Sequence, residues 1–148
     1  MCIRDSFIAL PSSGIIATLA LAAVLLLINH TWLMTSTALV RVRNHLHSTP
    51  EEWAASGIKK EDAPEEGWSE LERHHNAHRN TTENTIYFVF LTAIFMLVSP
   101  ATTVAQVWLT IFPLARLGYT YSYLSGNDNL RGVFMSLGLL ATLSLIHI

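Results

Sequence analysis

The chain has 148 residues, enough for one domain, and 51 % of them are hydrophobic while only 14 % are charged. Soluble domains carry about 25 % charged residues, so an ordinary water-soluble enzyme is a poor fit. A formal net charge of −2 gives no electrostatic basis for a nucleic-acid partner, and a single cysteine excludes an internal disulfide.

Four apolar stretches, roughly 14–40, 87–98, 104–123 and 133–145, carry the hydrophobicity. A spanning helix needs about 20 mostly apolar residues, fewer if its polar end lies among lipid headgroups. The pattern predicts an all-α membrane protein, a bundle of four transmembrane helices. A soluble four-helix bundle is the competing reading, disfavoured because the first stretch is apolar on every side.

The two ends are read apart from the fold. Met1-Cys2-Ile3-Arg4-Asp5-Ser6 and Leu143-Ser144-Leu145-Ile146-His147-Ile148 can be encoded by strings that are reverse complements of each other and resemble a sequencing-adapter end. Residues 1–6 and 143–148 are therefore expected to be artefact, leaving 7–142 as the domain. Cys2, on this reading, is not a native thiol.

The first helix carries Asn29 and His30 in mid-span, where interhelical hydrogen bonding is expected rather than a ligand role. It ends at Arg41 and Arg43. Thr49-Pro50-Glu51-Glu52 combines an N-cap, a first-turn proline and a capping acid, so a short helix is expected there. The charged stretch 59–70, with Pro64 and Gly67, reads as a solvated loop. Six basic residues, Arg41, Arg43, Lys59, Lys60, Arg73 and Arg79, lie between the first and second apolar stretches and Arg131 follows the third. That distribution places the polar face on the cytoplasmic side of a membrane, in a bacterium the inner one.

The second helix is expected from near Ser69 to Val98. At 100° per residue, Glu72, Asn76, Arg79, Asn80, Glu83 and Tyr87 fall on one stripe, and in the third helix Arg116, Tyr119, Thr120 and Tyr123 share a face. An arginine within a span costs about 2.5–3.5 kcal/mol on insertion scales, and a Glu83–Arg116 ion pair is the expected remedy. His74 and His78 have the i, i+4 spacing of a helical metal pair beside His75. The remaining native histidines, His30, His45 and His47, form no second cluster, so the expectation is a wet rim of histidines and no metal. No Gly-rich phosphate loop or Gly-x-Ser-x-Gly elbow is present.

Glu72-Arg73, then Ala77-His78-Arg79-Asn80, then Glu83-Asn84 resembles the signature of the MAPEG family, membrane-associated proteins in eicosanoid and glutathione metabolism. Val40-Arg41-Val42-Arg43 with Pro50-Glu51, Ala115-Arg116 with Tyr119-Thr120 and Tyr123-Leu124, and Arg131 match further family positions in order. The resemblance covers about residues 25–140. It implies a four-helix protomer assembled as a homotrimer, with glutathione bound between subunits near the cytoplasmic side. Arg41, Arg79, Asn80, Glu83, Tyr123 and Arg131 would line that site, with Arg131 favouring the thiolate as the catalytic residue. The implied activity is a glutathione transferase or peroxidase acting on an apolar electrophile or lipid hydroperoxide that enters from membrane lipids. The alternative is a non-catalytic, lipid-presenting member similar to the lipoxygenase-activating protein. Thr81, Asn76 and Gly132 depart from the family pattern, the last weakening a prostaglandin-isomerase assignment.

Overall fold

The computed structural model describes residues 11–98 and 100–146. Met1–Ser6, including Cys2, and the last two residues lie outside them. Among the described residues the structure is helical with no strand: α1 (Ser13–Arg43), α2 (Pro50–Ser56), a 3-10 turn (Lys60–Asp62), α3 (Glu65–Leu97), α4 (Thr102–Leu124) and α5 (Asp128–Ser144).

Helix α1 starts where the Ser12 hydroxyl accepts the Ile15 amide at 3.4 Å, satisfying one of the donors a helix start leaves open. Its 31 residues reach about 46 Å at 1.5 Å per residue, more than the ~30 Å of bilayer hydrocarbon. Among the described residues it is the one helix long and apolar enough by itself to cross a membrane. The buried positions Ile15, Ala22, Leu26, Asn29, Leu33 and Val40 step by sevens, fours and threes, so a single seam faces the bundle. The remaining apolar side chains of α1, such as Leu21, Leu27 and Ile28, stay exposed.

Thr49 caps α2 by accepting the Glu52 amide, while the Glu52 carboxylate accepts the Ser48 amide at 2.7 Å. This is the expected short helix. The second long helix starts earlier than expected: α3 takes in Glu65–Trp68, which the sequence reading assigned to a loop. Pro64 precedes its first turn and two glutamates sit in it, an arrangement that suits a helix start rather than interrupting it. Lys60–Asp62 likewise forms a turn of helix.

Helix α4 lies between the others, packed most extensively against α5 and α1 and also against α3. Phe88 of α3 and Phe112 of α4 stack at 3.8 Å in the main core, which also holds Leu26, Phe95 and Leu109. At Gly118 an added Cβ would fall 2.4 Å from the Phe134 ring, so α4 and α5 touch there only because no side chain intervenes. A second small core, Val40, Leu46 and Leu71 with Trp53 and Trp68 against it, ties the end of α1 to α2 and α3. It gathers the polar residues at one end of the bundle.

Candidate functional site

Two of the clefts at that polar end share Glu72 on their walls. The larger, of about 720 Å³, is lined by Arg41 of α1, His47 and Lys60 of the connecting segment, and Trp68 and His75 of α3. The smaller, of about 370 Å³, lies between the first half of α3 and the α4–α5 turn, with Arg73, Asn76, Tyr123 and Arg131 on its walls.

In the smaller cleft the turn is shaped by Gly126, whose φ of 74° is left-handed and strained for a side-chain-bearing residue. Asn127 then caps α5 by accepting the Leu130 amide at 3.1 Å. This brings Arg131, in the first turns of α5, back over Tyr123 at the end of α4, with the guanidinium 5.0 Å from the ring centre. Asp128 holds the same guanidinium at 3.2 Å. Arg131 is thus oriented by a ring and an exposed carboxylate, which leaves part of its fork free.

Of the residues expected to form one site, Tyr123 and Arg131 meet here. Arg41 lies in the larger cleft, where its Nη1 donates to the Ser48 hydroxyl and its Nη2 to His75 Nε2 at 3.1 Å. Because arginine only donates, His75 accepts at Nε2 and carries its proton on Nδ1. Burial, then the charge of Arg41, then His78 and His74, hold the His75 pKa below its ordinary value. Arg79 bonds Asn76 of its own helix at 3.1 Å, and Glu83 is exposed. Neither borders these two clefts.

The expected Glu83–Arg116 pair is not formed. Arg116 is fully buried, and its Nη1 donates to Asn80 Oδ1 at 3.1 Å. The guanidinium also lies 4.6 Å from the Tyr119 ring centre. The reason is helical phase. Thr81, 0 % exposed, marks the inner face of α3, and Glu83 stands 200° around the helix from it. Asn80 is the polar residue nearer to α4. Asn29 fulfils the structural expectation, its amide donating to the Arg116 carbonyl at 3.4 Å across α1 and α4.

The histidines do not converge. His74 bonds the Glu70 carbonyl of its own helix, His75 meets Arg41, and His78 packs edge-on to His30 at 5.9 Å. The sequence reading missed Arg73 and Asn76 as cleft residues, although Asn76 already lay on the polar stripe. It also passed over His47, Lys60 and the two tryptophans. Only the folding of the 44–64 segment back onto α3 brings these four beside Arg41.

A helical bundle with a charged, arginine-bearing polar end and apolar outer faces defines a class, and comparison with known proteins supplies it. The MAPEG family model matches residues 16–148. Over 129 residues the chain is 30 % identical to microsomal glutathione S-transferase 1 of Rattus norvegicus, covering 84 % of this chain and 82 % of that protein. The chain belongs to the MAPEG family.

Proposed function

We propose that this protein is a membrane-bound glutathione transferase with peroxidase-like capacity. In this reading four helices span the bilayer, three protomers assemble, and the polar end faces the cytoplasm. The observation that carries the reading is the smaller cleft, where Arg131 is held over Tyr123 beside Arg73 and Asn76. The name of the rat relative supports it.

Glutathione brings two carboxylates, an amine and a thiol. Arginine forks make charge-assisted hydrogen bonds to carboxylates, which suits Arg79 and, from a neighbouring protomer, Arg41. Glu83 takes the ammonium, and Asn80 and Tyr123 contribute polar contacts. A cation beside a thiol favours the thiolate, the attacking species, and Arg131 is the cation assigned to that task. The sulfur then attacks an apolar electrophile, forming a carbon–sulfur bond as the leaving group departs, or attacks the terminal oxygen of a lipid hydroperoxide, breaking the O–O bond to release the alcohol and leave a glutathione sulfenic acid that a second glutathione converts to the disulfide and water. The outer faces of α1, α3 and α5, rich in exposed Leu, Ile, Val and Phe, suit delivery of such substrates through lipid.

The test is ultraviolet absorbance of the thiolate when glutathione is added to purified protein near neutral pH. Wild type gains the thiolate band and Arg131→Ala loses it, with kcat/KM falling about 100-fold, the usual loss when one stabiliser of a reacting anion is removed. Absence of glutathione binding by the wild type would overturn the enzyme reading.

A second reading is a non-catalytic lipid-binding member. A groove of about 220 Å³ between α1 and α3, lined by Leu19, Leu26, Phe88, Val89 and Met96, favours it. It predicts lipid binding with no thiolate band.

A further inference from the structure

Arg41 and Arg43 both lie in the last turn of α1, yet the structure uses them differently. Arg43 is paired with the Glu70 carboxylate. Arg41 is held by two neutral groups, its Nη1 donating to the Ser48 hydroxyl and its Nη2 to His75 Nε2 at 3.1 Å. A long side chain that is fixed before a ligand arrives loses less freedom on binding. A guanidinium fixed by neutral partners also keeps its charge for that ligand. Arginine has five N–H bonds. With the Nε one buried and two committed, one remains on each terminal nitrogen.

Of the two holders, His75 is the one whose state changes with pH, because imidazole titrates near neutrality and a serine hydroxyl does not. Neutral, the ring accepts at Nε2 and carries its proton on Nδ1. Protonated, both nitrogens carry hydrogen and the ring is a cation, so it cannot accept from Arg41 and repels it. Arg41 from α1, and His74 and His78 from α3, all oppose that proton. His47 and Lys60 of the connecting segment line the same cleft. Glu72 on the wall and Glu52 of α2, which accepts the Ser48 amide, are the charges that favour a proton. The net direction is downward, with burial first and Arg41 second among the causes.

We infer that His75 is the positioning residue for Arg41: as a neutral acceptor it sets the guanidinium for a glutathione carboxylate, and on protonation it releases it. The inference rests on the glutathione reading and adds to it an affinity that falls in acid. Arg131 lies in the other cleft, so the thiolate step is left alone.

The experiment is calorimetry of S-methylglutathione binding to the detergent-purified full-length protein from about pH 5 to 8, the window in which histidine changes charge. This probe keeps both carboxylates and the ammonium of glutathione but has no thiol to titrate. Wild type should bind about fivefold more weakly at the acid end, the equivalent of one net hydrogen bond. His75→Leu should show the weaker affinity throughout. His75→Gln, whose side-chain oxygen can accept from Arg41 and does not titrate, should restore tight binding and flatten the profile. In turnover, His75→Leu should raise the KM for glutathione about fivefold with kcat unchanged, the pattern of a lost binding contribution. An equal fall in kcat would mark wider structural damage and overturn the positioning role. Equal affinities of wild type and His75→Leu, or a His75→Gln profile that follows wild type, overturn the inference and leave the glutathione reading standing. No binding of the probe by wild type at any pH removes that reading and this inference with it.

Discussion

At the scale of single residues, two groups do what their position in the chain does not announce. His75 looks like part of a metal-binding cluster but accepts a hydrogen bond from Arg41, and its pKa is lowered by burial and by that cation. A lowered histidine pKa means that the folded state prefers the neutral ring. Its contribution is therefore intact above the ordinary pKa of about 6.5 and is lost as pH falls from there toward the depressed value. Proton NMR of the folded protein should find His75 titrating below an exposed histidine, and Arg41→Gln should move the midpoint partway back up. Arg116 is the second case. A Cβ at position 138 would lie 3.0 Å from its Nη2, so Gly138 is the space in which the buried guanidinium sits. Gly138→Ala should cost about 1–3 kcal/mol by overpacking, and Arg116→Leu should relieve part of that cost in the double variant. Denaturation of all four proteins in one detergent gives the coupling directly, and strict additivity would refute the contact.

At the scale of elements, the polar half of α3 divides its labour by helical phase. Asn80 faces the bundle and holds Arg116, whereas Glu83 is exposed. Asn80→Ala should therefore lower the melting temperature. Glu83→Ala should leave melting unchanged and weaken glutathione binding about tenfold, which calorimetry on the two variants would separate. The stripe itself was legible in the sequence because a period of 3.6 is a local property. Which edge of it turns inward was not, because that depends on where α4 packs. The same holds for α4 and α5. Their crossing at Gly118 against Phe134 predicts a loss of about 1–3 kcal/mol in Gly118→Ala, measured as a lower thermal midpoint.

At the scale of the whole molecule, one protomer places Arg41 and Arg131 in different clefts. If a glutathione site combines them, they come from neighbouring copies. Arg41→Ala and Arg131→Ala should each fall to about 1 % of wild-type activity alone. Co-expressed and purified together, they should regain about one quarter of wild-type activity, because random mixing in a cyclic trimer gives one interface in four both arginines. Activity that stays at the level of the single variants would place both arginines in one subunit's site or outside it. The exposed apolar flanks of α1, α3 and α5 are consistent with surroundings of lipid and other protomers rather than water.

The sequence by itself determined the helical class, the α2 cap, the polar stripe and the family, because propensity, periodicity and motif spacing are all written locally along the chain. The tertiary structure alone decided that Asn80 and not Glu83 meets Arg116, and that Arg131 stacks on Tyr123. It also folded Lys60, His47 and two tryptophans around the end of α1. Those outcomes depend on helix rotation and on distant segments packing together, and a burial preference such as Thr81 facing inward fixes the rotation for every residue on the same helix.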